Sequence, residues 1–311
     1  MEHTIAFYNI ENLFDIENDP LTNDDDFLPN SQKRWTEKRY QNKLRKLGLV
    51  IAQIGESIED GHPAIVGLAE VENYKVVEDL VNSQHLKEYN YGIVHYDSSD
   101  ERGIDVALIY DQTKFTVTHS ETFNVFLVNP EGLRDYTRDI LLVSGELEGK
   151  PLHVIVNHWS SRREGTEATE YKRLGAADVV NSIIRNLKDE DPKATVVVMG
   201  DFNDNPDSNS LKSLELQSQL YNPFKTIWTK DKGSNTHYFE WNLFDQVLIS
   251  NSVFSPESDI DFEKAAIFDS KFLTQYQGKY KGEPFRTYAG KRYKGGYSDH
   301  FPVYLKLDIT S

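Results

Sequence analysis

An aspartate beside a histidine puts a hard oxygen ligand next to a proton-transfer group, and this chain carries such a pair, Asp299-His300, close to its C-terminus. Gly295-Gly296 ahead of the pair permits a sharp turn, and Pro302 behind it fixes one backbone angle. Val303-Tyr304-Leu305-Lys306-Leu307 then alternates as a strand does. The pair is therefore expected at the mouth of a final strand, in the kind of loop that carries function. An adjacent Asp and His also arise by chance, so the weight falls on what lies upstream. Asn9, Glu70, His158 and the Asp201/Asn203 pair each stand at or just past the end of an apolar run, and Asp245 stands early in another. Any one of them is ordinarily a cap or turn former. Their shared placement is the informative feature, because strand ends in packed sheets converge on one edge, where ligands bind.

Carboxylates with an amide oxygen suit Mg2+ or Mn2+, whereas zinc calls for more His or Cys. The chain has no cysteine, which rules out disulfides and thiolate metal sites, and its histidines are dispersed. They fit acid/base work and donation to a phosphoryl oxygen better than zinc ligation. No phosphate-cradling Gly-x-x-x-x-Gly-Lys loop, Gly-x-Ser-x-Gly elbow or dinucleotide fingerprint is present.

The elements that must position these groups alternate along the chain. His3 to Tyr8 reads as a strand ending at Asn9, and the acidic run from Asp15 to Asp26 lacks calcium-loop spacing and reads as a solvated loop. Tyr40, Leu44, Leu47, Ile51 and Ile54 mark one face of a helix from Thr36 to about Glu56. Ala64 to Ala69 is a buried strand ending at Glu70, followed by a helix over Tyr74 to Val81 and strands at Tyr91–His95 and Ile104–Tyr110. Ile140–Leu147 and Leu152–Val156 pair across Glu148-Gly149-Lys150-Pro151 and lead to Asn157-His158. A helix through Tyr171, Leu174, Ala177, Val180, Ile184 and Leu187 precedes the β-branched strand Thr195–Met199, which ends at Gly200-Asp201-Phe202-Asn203. Phe244 to Ile249 is a further strand. Strand–helix steps mixed with hairpins imply a mixed α/β domain, here one domain over residues 1–311. Glu70-Val71-Glu72-Asn73 and Asp201-Phe202-Asn203-Asp204 both follow an apolar strand, an echo that two similar halves would produce.

In order, Tyr8-Asn9-Ile10-Glu11-Asn12, Gly67-Leu68-Ala69-Glu70, Asn157-His158, Gly200-Asp201-Phe202-Asn203, Phe244-Asp245 and Ser298-Asp299-His300 resemble the endonuclease/exonuclease/phosphatase superfamily, the relatives of DNase I and the abasic-site endonucleases. The opening motif, Arg102-Gly103-Ile104-Asp105-Val106-Ala107 and Asn157-His158-Trp159 look like a bacterial branch beginning Tyr-Asn-x-Glu-Asn-Leu-Phe-Asp. The resemblance covers the whole chain. It implies a four-layer α/β sandwich, two packed mixed β-sheets flanked by helices. It implies a metal site at Glu70 with Asn9 and Asp299, Glu11 standing where some members carry an acidic metal-site residue. It gives Asp201 and Asn203 the attacking water, and His300, oriented by Asp245, the phosphate or a proton. His158 matches a histidine of the DNase I-like members where abasic endonucleases carry tyrosine, and Arg102 is expected to meet substrate.

Those roles fit phosphate-ester hydrolysis, which needs an in-line water, neutralised equatorial oxygens and a stabilised leaving oxygen. A bound Mg2+ or Mn2+ and both histidines are expected to supply the positive charge. The reading favours a phosphodiesterase or nuclease acting on nucleic acid or nucleotides. A phosphomonoesterase or lipid/inositol-headgroup phosphodiesterase on the same scaffold is the alternative, and a non-catalytic binding module stands behind both. The net charge of −16 opposes avid non-specific nucleic-acid binding. Within it, Lys271, Lys279, Lys281, Arg286, Lys291, Arg292 and Lys294 face one acid, Glu283, and interleave with Tyr276, Tyr280, Phe285, Tyr288 and Tyr293. Basic and aromatic residues together suit a polyanion whose bases stack, so Lys291, Arg292 and Lys294 are expected to bind substrate. The competing reading is a surface loop whose tyrosines pack on the domain. No charged and then apolar leader precedes the first strand and no apolar stretch spans a membrane, so a cytoplasmic protein without membrane insertion is expected, though a trimmed secreted one would look the same.

Overall fold

Continuous apolar runs must be buried on both faces, and the chain does this by packing two six-stranded sheets against each other with helices outside. The structure, a computed structural model, describes residues 1–55, 61–129 and 131–310. The first sheet contains β1 (Glu2–Leu13), β2 (Ile65–Val71), β3 (Tyr91–His95) and β4 (Asp105–Asp111), and the second begins with β5 (Phe115–Phe123), β6 (Ile140–Leu147), β7 (Lys150–His158) and β8 (Val196–Asp201). β9 (Leu220–Tyr221) and β10 (Asp245–Ser250) complete the second sheet, while β11 (Ile260–Ile267) and β12 (Val303–Ile309) return to the first. The orders are β11-β12-β1-β2-β4-β3 and β9-β10-β8-β7-β6-β5.

Each sheet has one parallel pair at its centre, β1 with β2 and β8 with β7, and antiparallel neighbours elsewhere. The two halves thus share a pattern, which gives the sequence echo at Glu70 and Asp201 a structural counterpart. Side chains alternate as a strand requires. Val197 and Met199 of β8 face the first sheet, while Val196 and Val198 face Ala177, Val180 and Ile184 of α3 (Glu170–Glu190) and Leu211 and Leu214 of α4 (Asn209–Ser218). Burying each such side chain stabilises the fold by roughly 1.5–3 kcal/mol. Gly67 gives Met199 of the opposite sheet its room: a Cβ there would come within 2.5 Å of Met199 Sδ. α1 (Glu37–Ile51) and α2 (Tyr74–Val81) cover the other face of the first sheet.

Several boundaries differ from the sequence reading. β1 does not stop at Asn9: after a register shift it pairs again at Leu13, with Glu11 and Asn12 both at φ +52. This bulge lets one strand present Asn9 and still continue. α1 begins after Thr36, which is extended but makes no side-chain cap bond, and ends at Ile51, so Ile54 is buried from the following turn. Glu56, the expected end, lies outside the described residues. Lys150 and Pro151 belong to β7, leaving Glu148-Gly149 as the turn. The acidic run is only partly solvated: Asp15 and Asp24 are buried and accept backbone N–H groups from Glu17 and Asp19. No helix among the described residues is long and apolar enough to cross a membrane.

Candidate active site

The two central parallel pairs end at the same edge of the sandwich, and their C-terminal residues carry the polar groups. Asn9 lies beside Ala69, the residue before Glu70, and Asp201 lies beside His158. Antiparallel neighbours enter at the same edge, so Asp245 opens β10 directly opposite Asp201, and Asp299-His300 precedes β12. Asn9 crosses between the sheets, its Nδ2 donating to Asp201 Oδ2 at 3.0 Å. His158 Nε2 stands 3.8 Å from Asp201 Oδ2 and 3.9 Å from Glu70 Oε1, beyond hydrogen-bonding distance of both. His300 Nδ1 meets Asp245 Oδ2 at 2.6 Å.

Backbone strain accompanies the placement. Glu70 has φ +66 and Asn203 φ +50. A non-glycine residue held there costs of order 1–3 kcal/mol and persists only when its surroundings fix it. The Asn12 N–H donates to Glu70 Oε2 at 2.9 Å. The Asn203 N–H donates to Asp201 Oδ1 at 2.9 Å, and its side-chain amide donates to the Trp159 carbonyl at 2.9 Å.

The two histidines sit in opposite fields. Burial opposes the charge on His300, but the Asp245 carboxylate, by charge and hydrogen bond, with Asp201 and Asp299 behind it, raises its pKa well above the ordinary value. A charged His300 has an N–H on each ring nitrogen. The Asn235 amide lies 3.3 Å from Nε2, and turned so that its otherwise unpartnered Oδ1 faces the ring it accepts that second proton. His158 is pushed well below the ordinary value by burial and then by the nearby charges of Arg138, Arg102 and His300. The surroundings therefore favour the charged form of His300, as expected, and the neutral imidazole of His158, where the sequence reading expects a charge. Asp201 is raised, first by burial and then by the Asp245 carboxylate, as suits a base that must hold a proton near neutral pH.

The remaining expected residues divide. Asp299 accepts from Arg286 at 2.7 Å, and burial, which would raise it, is outweighed by His300, Arg286 and Lys43, so it stays a carboxylate. Burial first, and then the nearby charge of Asp299, raise the pKa of Glu11, which backbone donors hold. Its carboxylate accepts the Thr287 N–H at 2.6 Å and the Tyr288 N–H at 3.4 Å, which ties the β1 bulge to the loop before β12. Arg102 donates to the Asn12 side chain at 2.8 Å, and the Asn12 N–H in turn holds Glu70. Lys294 lines a cavity of about 300 Å³ together with Arg286 and Asp299. Arg292 lines a neighbouring depression with Tyr276 and Phe285, and Lys291 is exposed and lines neither. The aromatic residues of this segment split likewise: Tyr288 is buried against Trp35, while Tyr276 and Tyr280 are exposed.

Three residues with evident roles escape the sequence reading. Lys43 is buried and donates to the Glu11 carbonyl, Thr287 Oγ1 and the Tyr297 carbonyl at 3.1, 2.5 and 2.8 Å, fastening α1 to the bulge and the loop. Arg138 donates to the His158 and Trp159 carbonyls at 3.1 and 2.7 Å and to Asp100 at 2.9 Å, which fixes the end of β7. Ser234 donates to Asp245 Oδ2 at 2.5 Å. Arg138, just ahead of the apolar run from Ile140, stands as Asp299-His300 does ahead of Val303; nothing local marks Lys43 or Ser234.

The donor set fits a hard divalent cation. Glu70 Oε2 is held and Oε1 has no hydrogen-bond partner among the described residues; Asn9 Oδ1, which also accepts the Glu11 N–H at 3.0 Å, and Asp299, paired with Arg286, add an amide and a carboxylate oxygen on the same edge. Asp201, Asp245 and His300 also lie close enough to share an ion, although His300 and Asp245 are already bonded to each other.

Comparison with known proteins follows the same line. The humanised TDP2 of D. rerio superposes with a TM-score of 0.61 at 15% identity, covering 99% of each chain. The human nocturnin catalytic domain gives 0.60 at 15%, covering 99% of this chain and 95% of that one. An endonuclease/exonuclease/phosphatase from Bacteroides vulgatus gives 0.59 at 19%, covering 99% of each. At such identities the likeness is one of fold, the DNase I-like sandwich of two mixed sheets between helices. A stretch of 115 residues is 29% identical to the replication factor C large subunit of Pyrococcus abyssi, covering 33% of this chain and only 23% of that protein. The sequence model of the Endonuclease/Exonuclease/phosphatase family matches residues 4–309, nearly the whole chain, and the protein belongs to that family.

Proposed function

We propose that this chain is, over its whole length, a metal-dependent phosphodiesterase of nuclease type, acting on nucleic acid or nucleotides by in-line attack of water. The observation that carries the reading is the Asp245–His300 pair at 2.6 Å directly beside a buried Asp201 whose own carboxyl is raised. A held acid and a poised base at one edge are what ester hydrolysis requires. In this reading Asp201 takes the proton of the attacking water. Asn9 and Asn203 act through Asp201, fixing its two oxygens. His300, kept charged by Asp245, faces the phosphate and meets its developing negative charge. His158, neutral and pinned through its backbone by Arg138, donates one N–H to a phosphoryl oxygen. Glu70, Asn9 and Asp299 would hold Mg2+ or Mn2+, which when bound supplies Lewis-acid polarisation of that oxygen. Glu11 instead keeps the loop before β12 on the bulge, and Arg102 keeps Asn12, and through it Glu70, in place.

A histidine at position 158, with the Tyr8-Asn9-Ile10-Glu11-Asn12-Leu13-Phe14-Asp15 opening, supports a place in the bacterial branch and a diesterase site. A structure of D. rerio TDP2 holds a single-strand DNA product, which makes single-stranded DNA a substrate to try first. The test is hydrolysis of bis-p-nitrophenyl phosphate against p-nitrophenyl phosphate, with single-stranded DNA in parallel, in Mg2+ and in Mn2+. Diester and DNA cleavage are expected. Turnover of the monoester alone would replace this reading with a phosphatase, and turnover of none would leave a binding module.

A further inference from the structure

The hairpin beside His300 breaks a local rule. Its arms, Asn235–His237 and Glu240–Asn242, pair with His237 opposite Glu240, leaving Tyr238-Phe239 as a two-residue turn. Both turn residues have positive φ, +49 and +68. Such turns ordinarily take Asn-Gly or Asp-Gly, because bulky side chains are outliers at that backbone angle. The chain's Glu148-Gly149 turn, at φ +51 and +78, does place glycine second. Burial does not offset the strain, since Tyr238 is 85% and Phe239 57% exposed. Phe239 stacks on Tyr280 with ring centroids 5.4 Å apart and planes at 11°, and Lys279 Nζ lies 4.7 Å from the Tyr280 centroid.

The position of these rings is as telling as their strain. Tyr238, Phe239 and Tyr280 line the same 300 Å³ cavity as Arg286, Lys294 and the site residue Asp299. The cavity's other acid is Glu283. The base of the hairpin is fastened to the catalytic pair, Ser234 to Asp245 and Asn235 to His300. A short ribbon therefore runs from the acid–base pair to a solvent-facing aromatic tip, with cations between them. Aromatic faces beside cations take up a planar ring joined to an anion.

We infer that Tyr238, Phe239 and Tyr280 form a stacking subsite for a nucleobase, with Arg286 and Lys294 meeting the adjoining phosphate. The ligand is a nucleotide unit, free or within a strand. The inference rests on the phosphodiesterase reading of the neighbouring site and adds how the base is held. The test is calorimetric binding of AMP and of ribose 5-phosphate to the full chain in Mg2+, with the tetranucleotide dA4 as a third arm. Wild type should bind AMP about tenfold more tightly than ribose 5-phosphate. The double variant Tyr238→Asn/Phe239→Gly gives the turn the residues it prefers, so the hairpin keeps its shape while the rings go. It should lose most of the preference for AMP over ribose 5-phosphate, Tyr280 alone remaining to stack, with the ribose 5-phosphate affinity unchanged, and Phe239→Leu should fall between. If a strand is the source of the base, dA4 binds more tightly than AMP and weakens by the same factor in the variant. Equal wild-type affinity for AMP and ribose 5-phosphate, or an equal weakening of both in the double variant, would overturn the subsite. Base preference without diester turnover would remove the hydrolase reading and leave the subsite. Diester turnover without base preference would do the reverse.

Discussion

His300 and His158 face the same patch of space from different sheets, and their surroundings give them opposite chemistry. His300 leans on Asp245 and is held charged; His158 has no partner for Nδ1 among the described residues and is held neutral. The difference comes from what arrives beside each ring. An antiparallel strand delivers a carboxylate to His300, whereas Arg138 and Arg102 approach His158. Residue type alone makes the two equivalent; neighbours drawn from distant parts of the chain make one a cation and the other a neutral donor.

Deleting either ring breaks the comparison most bluntly. His300→Ala and His158→Ala should each lower kcat on a diester by roughly 10²–10⁴-fold while KM changes little, because both are read as acting on charge that develops in the transition state. Steady-state kinetics on bis-p-nitrophenyl phosphate decides this; unchanged kcat with raised KM would make that histidine a binding group only.

A subtler change should move His300 toward the state of His158. In the wild type the raised pKa keeps His300 protonated as pH passes its ordinary value near 6.5, so loss of its proton should limit turnover only well above neutral pH. The Asp201 carboxyl, raised to about 7, should set the rise of activity on the acid side. Asp245→Asn removes the main support for the charge and leaves burial to lower it. The loss of activity with rising pH should then begin at or below the ordinary histidine range, far below its position in wild type. A pH–rate profile parallel to wild type would show that Asp245 does not hold the charge.

The cation side of the site gives a smaller, separable effect. Glu70→Gln should weaken Mg2+ binding in a calorimetric titration without lowering Tm, since the side chain is partly exposed and a glutamine oxygen still accepts the Asn12 N–H. An unaltered titration would take Glu70 out of the metal site. The smallest effect is expected at the rim. Replacing Lys291, Arg292 and Lys294 together with Ser should raise KM for single-stranded DNA and flatten the salt dependence. The log–log slope should fall by about 0.7 for each phosphate that is no longer neutralised. Lys294 should account for most of this, as the member of the three that lines the cavity with Asp299. An unchanged slope would return the segment to a surface loop.

Much of the scaffold is legible in the sequence because its central strands are buried on both faces and end abruptly in polar residues. Asn9, Glu70, His158, Asp201 and Asp245 all carry that signature, and the sheets bring those ends to one edge. Edge strands are wet on one side and weakly patterned. β5 and β11, with exposed Thr116, His119, Glu263 and Lys264, therefore give no clear sequence signal, and neither does α4. Lys43 is invisible for another reason. A buried lysine on an amphipathic helix looks like any charged helical residue until tertiary packing brings it to the Glu11 carbonyl and the Tyr297 carbonyl. The Tyr238-Phe239 turn escapes because its residues contradict the backbone they occupy, and local preference points elsewhere.

The central claim is that this edge hydrolyses phosphate diesters with the help of a hard divalent cation. The direct test is cleavage of a labelled single-stranded DNA and of bis-p-nitrophenyl phosphate by protein dialysed against EDTA, before and after Mg2+ or Mn2+ is restored. The account predicts no cleavage in EDTA and recovery with either ion. Full activity on both substrates in excess EDTA would contradict it.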